Sequence, residues 1–407
     1  VNKGPLHLFE AVGVELEYML VDAATLDVRP AVDEVLKAQA GAYISDVEDG
    51  PITWSNELVR HVVEVKVTSP VAQLDGVATA FQASLARIQA LAGTIGARLL
   101  PTAMHPWMDP GRETELWPHE SAEIYRMFDR IFDCRRHGWA NLQSVHINLP
   151  FCGDEEFARL HAAIRLVLPL IPALAASSPV MEGRVTGVLD NRLDVYVNNS
   201  RKIPQITGAV IPERVFSAAD YEAKIFQPMF RAIAPYDPEG VLQDEFLNAR
   251  GAIARFDRGA IEIRLTDVQE TPAADLAIVA AVVHAVRAQV EGRYAPLTAQ
   301  QAWEPEPLRT LLQATLREGE ATPITNRSFL DAWGIDHEVN AAAVWQAITS
   351  DLHLKDRDLA GALAHIQQHG TLARRMLRRL PATPSRKDLS ILYRELADCL
   401  AEGRLLD

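Results

Sequence analysis

The sequence predicts an α+β fold: a largely antiparallel sheet with helices packed on its apolar face, continued by a helical C-terminal extension. Three observations carry this. Short stretches that alternate apolar and polar residues recur up to about residue 295. Longer stretches with a 3.6-residue period lie between them. Asp257-Arg258-Gly259 joins two strands in quick succession, which implies antiparallel pairing there.

In chain order, strands are expected near 11–20, 60–67, 97–103, 142–149, 252–257 and 260–266. Helices are expected near 74–93, 121–136, 155–175, 218–232 and 273–292. Ser217 before AADYEAKIF and Thr271-Pro272 before the last of these are helix-start signals. The apolar runs 162–180 and 273–290 carry Arg165, Pro169 and Pro172, and Asp275, His284 and Arg287 respectively. A membrane span needs about 20 largely uninterrupted apolar residues, so both runs are expected to be buried core helices. Past about 296 only helical patterns remain, near 307–318, 338–351, 357–380 and 386–403. The chain therefore divides into a body at 1–295 and a helical extension at 296–407, where RRMLRR (374–379) is expected to be a solvated helix face.

Composition narrows the function. A chain of 407 residues, 48% hydrophobic and 23% charged, is typical of a soluble globular protein with ample core. The net charge of −14 and the lack of a Lys/Arg block argue against a nucleic-acid partner. Cys134, Cys152 and Cys399 match neither a metal spacing nor a disulfide framework, and are expected as buried or half-buried thiols. No secretory signal is legible, so a cytoplasmic protein without membrane partners is expected.

Four strands share one design. GVELEYML (13–20) sets Val14, Leu16 and Tyr18 on one face and Glu15 and Glu17 on the other. RHVVEVKV (60–67) sets Val63, Val65 and Val67 opposite Glu64 and Lys66. LQSVHINL (142–149) sets Val145, Ile147 and Leu149 opposite Ser144, His146 and Asn148, and AIEIRLT (260–266) sets Ile261, Ile263 and Leu265 opposite Glu262 and Arg264. An antiparallel sheet with one wet face gives the same pattern. Against that stands the choice of residues, because glutamate is depleted at exposed strand positions. Glutamates two apart, roughly 6.5–7 Å, repel by about 2.5 kcal/mol at an effective dielectric near 20. Four glutamates against Lys66 and Arg264 leave an excess of negative charge that suits divalent cations. Mg²⁺ takes hard oxygen ligands and phosphates, and Mn²⁺ accepts the same carboxylates with a histidine. No phosphate-cradling glycine loop is present: GRVTG (183–187) lacks the following Lys-Ser/Thr and suits a turn.

The pieces GVELEY (13–18), NELVRHVVEV (56–65), HINLPF (146–151), SSPVMEGRVTG (177–187), GRVTGVLDNR (183–192) and GAIEIRLTDV (259–268) together resemble the glutamate–cysteine ligase and carboxylate–amine ligase family. The resemblance covers roughly residues 10–290. It implies a glutamine-synthetase-like fold with a curved sheet. It also implies that Glu15, Glu17, Glu57, Glu64, His146 and Glu262 hold two or three Mg²⁺, or Mn²⁺, around the phosphates of ATP. Glu57 is equally readable as a surface acid. Arg264 would then contact a phosphate or the phosphorylated intermediate, with Glu64 beside it as the second catalytic residue. Asn148 would face the nucleotide or be satisfied by backbone. Arg192, or the Arg201-Lys202 pair, would bind a glutamate α-carboxylate or a nucleotide phosphate, or else form ordinary ion pairs. Where many bacterial carboxylate–amine ligases carry H-x-H, this chain has His146-Ile147-Asn148, which resembles the H-x-N or Q-x-N of glutamate–cysteine ligases and favours an amino-acid acceptor. Met104-His105-Pro106-Trp107 resembles a family loop near the substrate.

The implied reaction joins the γ-carboxylate of glutamate to cysteine or another small amine through an acyl phosphate, with ATP as co-substrate. Two alternatives keep the sheet: a metal-dependent phosphotransferase acting on a guanidino or carboxylate substrate, and a non-catalytic nucleotide-binding member. The extension suits either an oligomer contact, as in a homodimer, or a cover over the site.

Overall fold

The computed structural model describes residues 4–407. Its main sheet is antiparallel throughout and is built from β1 (Gly13–Asp22), β2 (Asp46–Asp49), β3 (Ile52–Asn56), β4 (Val62–Val67), β5 (Ala97–Leu100), β6 (Ser144–Pro150), β9 (Ala252–Arg255) and β10 (Ala260–Asp267). The order is β2-β3-β4-β1-β6-β10-β9, and β5 pairs with the C-terminal half of β1. A separate small hairpin joins β7 (Val180–Met181) to β8 (Arg184–Val185). Its turn is Glu182-Gly183, at φ 51 and 75, so only the first residue of GRVTG (183–187) lies in the turn and Arg184–Val185 continue as β8.

Period-2 patterning sorts the two faces. Val14, Leu16, Val65, Val145, Ile147, Leu149, Ile261 and Ile263 are all fully buried in one core. Each such side chain stabilises the fold by about 1.5–3 kcal/mol relative to exposure. The helix Pro272–Val290 lies in the same core, with Thr271 Oγ accepting from the Ala274 amide as its cap. Tyr18 reaches it from β1 and donates to Asp275 Oδ2 at 3.2 Å. Among the described residues this is the one helix long and apolar enough to cross a membrane, and here its surface is spent on packing. Gly13 is required by the register: a Cβ there would lie 3.0 Å from that of Asn148, directly opposite on β6.

Several boundaries differ from the sequence expectation, each for a local reason. The helix expected at 121–136 ends at Phe132, because Asp133 takes a left-handed φ of 58°. The stretch 155–175 is a helix at Gly153–Val167, a 3₁₀ turn entered at Pro169, and a short helix from Pro172. The stretch 357–380 splits into Arg357–His369 and Leu372–Arg379 at Gly370. The β2–β3 hairpin and the helix Val32–Ala40 were not legible, since DVED is poor in strand formers and Gly50-Pro51 punctuates the segment.

The C-terminal helices do not stand apart from the body. Leu308, Leu312, Trp345 and Ile366 belong to the hydrophobic cluster that holds the apolar face of the sheet. The helix Arg386–Glu402 opens with a Ser385/Asp388 capping box, and its Leu392, Tyr393 and Leu396 pack with Met19, Val21 and Leu100. RRMLRR is correspondingly not a uniformly solvated face. Arg375 within it is fully buried, bonded to Glu270 and to the Leu406 carbonyl. The three cysteines are free, Cys134 and Cys399 buried and Cys152 half-buried.

Candidate active site

The polar face of the sheet is the floor of a cavity of about 550 Å³. Register explains who meets whom. Glu15 lies between Lys66 on β4 and His146 on β6, while Glu17 is opposite Glu64. Glu262 is opposite Asn148 across β6 and β10. Glu57 follows the last residue of β3. Glu15, Glu17, Glu57, Glu64, His146 and Glu262 all line the one cavity, as do Arg192 and Arg264. Glu15, Glu17, Glu64, His146, Glu262 and Arg264, up to 249 positions apart in sequence, thus converge because four neighbouring strands present them on one side.

Contacts within the floor are close. His146 Nδ1 lies 3.1 Å from Glu15 Oε2 and 3.6 Å from Glu262 Oε1. Glu17 Oε2 accepts from the Ser144 amide at 2.7 Å and hydroxyl at 2.9 Å. Lys66 Nζ donates to Glu64 Oε1 at 3.0 Å, and Arg264 Nε to Glu262 Oε1 at 2.5 Å. The electrostatics follow from burial and crowding. Burial acts to raise the Glu15 carboxyl, but the His146 hydrogen bond and charge override it and hold it at about 2. Burial and the nearby Glu17 push Glu57 up to about 7. Burial together with Glu15 and Glu57 pushes Glu64 well above the carboxylate range. Burial lowers His146, yet Glu15, Glu17 and Glu262 raise it to about 9.

Two sets of donors converge closely enough to share an ion. In Glu15, Glu64 and His146, and again in Glu17, Glu57 and Glu64, one ligand atom per residue lies within 4.8 Å of the others. Together they are four carboxylates and one imidazole, which suits a hard divalent cation, and Glu64 belongs to both groups. Negative charge crowded this far, with Glu57 and Glu64 driven towards protonation, is what such a cation relieves.

A bulge in β10 completes the floor. Ile263 pairs with Ile147, but Thr266 pairs with Val145, so β10 carries one extra residue. The parity of the strand changes there. Asp267, rather than Thr266, falls opposite Ser144 on the polar side. Asp267 is fully buried and accepts from Arg192 Nε at 2.5 Å and from the Ser177 amide at 2.8 Å. Gly251 allows the bulge, since a Cβ there would lie 2.8 Å from the Leu265 side chain, and its carbonyl accepts from the Arg264 amide.

Other expected residues lie elsewhere. Asn148 is on the same face, but its Nδ2 donates to Glu15 Oε1 at 3.0 Å and it is not part of the cavity lining. Arg201 and Lys202 are exposed and outside the cavity, so the structure does not bring this pair to the site. Lys202 instead donates to the Ile131 carbonyl and lies over the Tyr236 ring. His105 is buried with Nε2 on the Leu26 carbonyl, and Trp107 stacks under Arg386, so this loop anchors the last helix. Lys66 lines the cavity from the polar face of β4, and Arg255 and Arg258 line it without any sequence signal having pointed to them. Arg255 ends the strand before the Asp257-Arg258-Gly259 turn and Arg258 lies within it, a turn that was visible only as a hairpin signal.

An antiparallel sheet with one acidic, cavity-lining face, backed by core helices, is the architecture expected of the glutamine-synthetase-like fold. The model of glutamate–cysteine ligase family 2 matches residues 11–395, which extends through the C-terminal helices. An uncharacterized protein of Archaeoglobus fulgidus is 34% identical over 283 residues, 69% of this chain and 75% of that protein. A Rubrobacter xylanophilus protein named "Putative glutamate--cysteine ligase 2-3" is 34% identical over 189 residues, 46% of this chain and 48% of its own length. The match thus spans about half of that relative. Among solved structures, the glutamate–cysteine ligase of Francisella tularensis in complex with AMP has a TM-score of 0.60 at 12% identity, covering 98% of this chain and 90% of that one. A bifunctional glutathione synthetase from Pasteurella multocida has a TM-score of 0.60 at 12% identity, covering 97% of this chain and 53% of that one. These two share the fold. The chain belongs to glutamate–cysteine ligase family 2, and with it to the ATP-dependent ligases that form carbon–nitrogen bonds.

Proposed function

We propose that this protein joins the γ-carboxylate of glutamate to a small amine at the expense of ATP. The observation that carries this is the convergence of Glu15, Glu17, Glu57, Glu64, His146 and Glu262 on a single cavity, with Arg264 and Arg192 beside them. A carboxylate is a poor electrophile. It is first phosphorylated: a γ-carboxylate oxygen bonds to the terminal phosphorus of ATP, ADP leaves, and an acyl phosphate remains. The amine nitrogen then bonds to the acyl carbon, phosphate leaves, and the nitrogen gives up a proton.

The two donor groups, Glu15, Glu17, Glu57, Glu64 and His146, would hold Mg²⁺ or Mn²⁺ with Glu262 beside them, and the ion would supply charge neutralisation at phosphate oxygens. The chain's own residues do the positioning. Arg264, held through Nε by Glu262, keeps its terminal nitrogens for an anionic oxygen and stabilises charge on the group in transfer. Glu64 contributes to both donor groups, which makes it the residue on which the floor most depends. Arg192, fixed through Nε by Asp267 and through Nη1 by the Arg264 carbonyl at 3.2 Å, places a positive charge at the wall for a substrate carboxylate.

The test is a phosphate-release assay with MgATP, glutamate and a panel of amines. Release that needs both glutamate and an amine supports the proposal. ADP formation that needs one acceptor and no amine would replace it with a phosphotransferase.

A further inference from the structure

The cavity has two unlike sides. Its floor is charged, but the opposite side is built from the helix Ala122–Phe132, the turn His137–Ala140 and the segment 245–249. These present Ile124, Tyr125, Phe128, Trp139 and Phe246, all half-buried and all lining the cavity. Phe128 lies with ring centroids 5.5 Å from Trp139 and 6.3 Å from Phe246, so the three rings form a continuous apolar surface. Part of the polar capacity of this roof is spent within the protein, whereas Trp139 Nε1 has no partner. The Tyr125 hydroxyl accepts from Asn56, and Asn248 is bonded to the Tyr221 hydroxyl and to Arg250. A flat ring could stack there, with few groups, Trp139 Nε1 among them, left to meet a polar edge.

Charge is distributed as unevenly. The five lysine and arginine side chains lining the cavity are Lys66, Arg192, Arg255, Arg258 and Arg264, and the cationic His146 lies on the floor with them. None of the five comes from the roof, and each lies within 4.0 Å of a carboxylate: Glu64, Asp267, Asp257 or Glu262. Triphosphate and the α-carboxylate of glutamate already call on that side. An acceptor that carried its own carboxylate against the roof would meet no cation there, and leaving it unpaired is costly.

We propose that the amine acceptor of this enzyme is an apolar primary amine without a carboxylate, its ring-sized body seated on Phe128, Trp139 and Phe246. This rests on the ligase function proposed above and narrows its second substrate away from amino acids such as cysteine.

Phosphate release with MgATP and glutamate is measured with phenethylamine, ethylamine, phenylalanine and cysteine. Phenethylamine is expected to exceed the other three in kcat/KM by about tenfold or more, the scale of one well-buried ring contact. Phe128→Ala is expected to raise the KM for phenethylamine by about tenfold and the KM for ATP by less than about twofold. Phe128→Leu, which keeps the bulk, serves the same comparison if the alanine variant does not fold. Equal or better use of cysteine or phenylalanine overturns the inference. So does a rise in the KM for ATP in place of that for the amine, which would assign the roof to the adenine ring. Absence of release with every amine would remove the ligase function itself, and this inference with it.

Discussion

Arg375 Nη1 lies 2.5 Å from Glu270 Oε1, and neither side chain is exposed to solvent. The pair ties the helix Leu372–Arg379 to the loop that opens the core helix Pro272–Val290. Removing one partner leaves a buried charge without compensation. Arg375→Ala is therefore expected to destabilise the protein by about 3–5 kcal/mol in denaturant unfolding, whereas replacing both members with methionine should recover most of that loss.

Removal of the C-terminal helices tests the same coupling at larger scale. Leu308, Leu312 and Trp345 are buried with the sheet's apolar residues, so a chain ending at residue 295 would expose that surface. It is expected to lose cooperative unfolding and to aggregate. A sharp thermal transition for 1–295 would show that the body folds alone.

Arg264→Lys should separate charge from geometry. Lysine keeps the charge but not the fork that lets one edge hold Glu262 while the other meets a ligand oxygen. Turnover is expected to fall by about 10²–10³-fold with the melting temperature little changed. Near wild-type turnover would place Arg264 outside the reaction.

Acid stability should report on Asp33. Burial opposes its ionisation, but hydrogen bonds from Arg60 and His119, each at 3.0 Å, hold the carboxyl below its ordinary value. A group depressed in the folded state stabilises above its unfolded pKa of about 3.9 and loses that contribution as pH falls through the folded value. Asp33→Asn should therefore lower the melting temperature at neutral pH and flatten its decline below about pH 4. An unaltered pH profile would show that Asp33 contributes no linkage.

Much of the floor was legible because period 2 is a local property. Glu15, Glu17, Glu64, His146 and Glu262 could be placed on strand faces without knowing which strands pair, and the family resemblance added Glu57. What failed was whatever depends on a partner far away in sequence. Arg375 reads as part of a solvated basic face until Glu270, 105 residues earlier, closes on it. Arg201 and Lys202 carry suitable charge but sit in an exposed loop whose course no periodicity reveals. Asp267 was hidden by the bulge, because strict alternation from Glu262 and Arg264 points to Thr266 as the next polar-side residue. The aromatic roof was invisible for a simpler reason: nothing local in the sequence marks Phe128 or Trp139, and only the fold opens them onto a cavity.

Glu64 offers the most direct test of the metal-binding floor, since it is common to both donor groups. Mn²⁺ binding followed by electron paramagnetic resonance, in wild type and Glu64→Gln, measures this without any assumption about substrates. The expected result is saturable binding by the wild type, and affinity weakened by more than about tenfold in the variant while the melting temperature holds. Wild-type affinity in Glu64→Gln, or no saturable Mn²⁺ binding by the wild type with or without ATP, would contradict it.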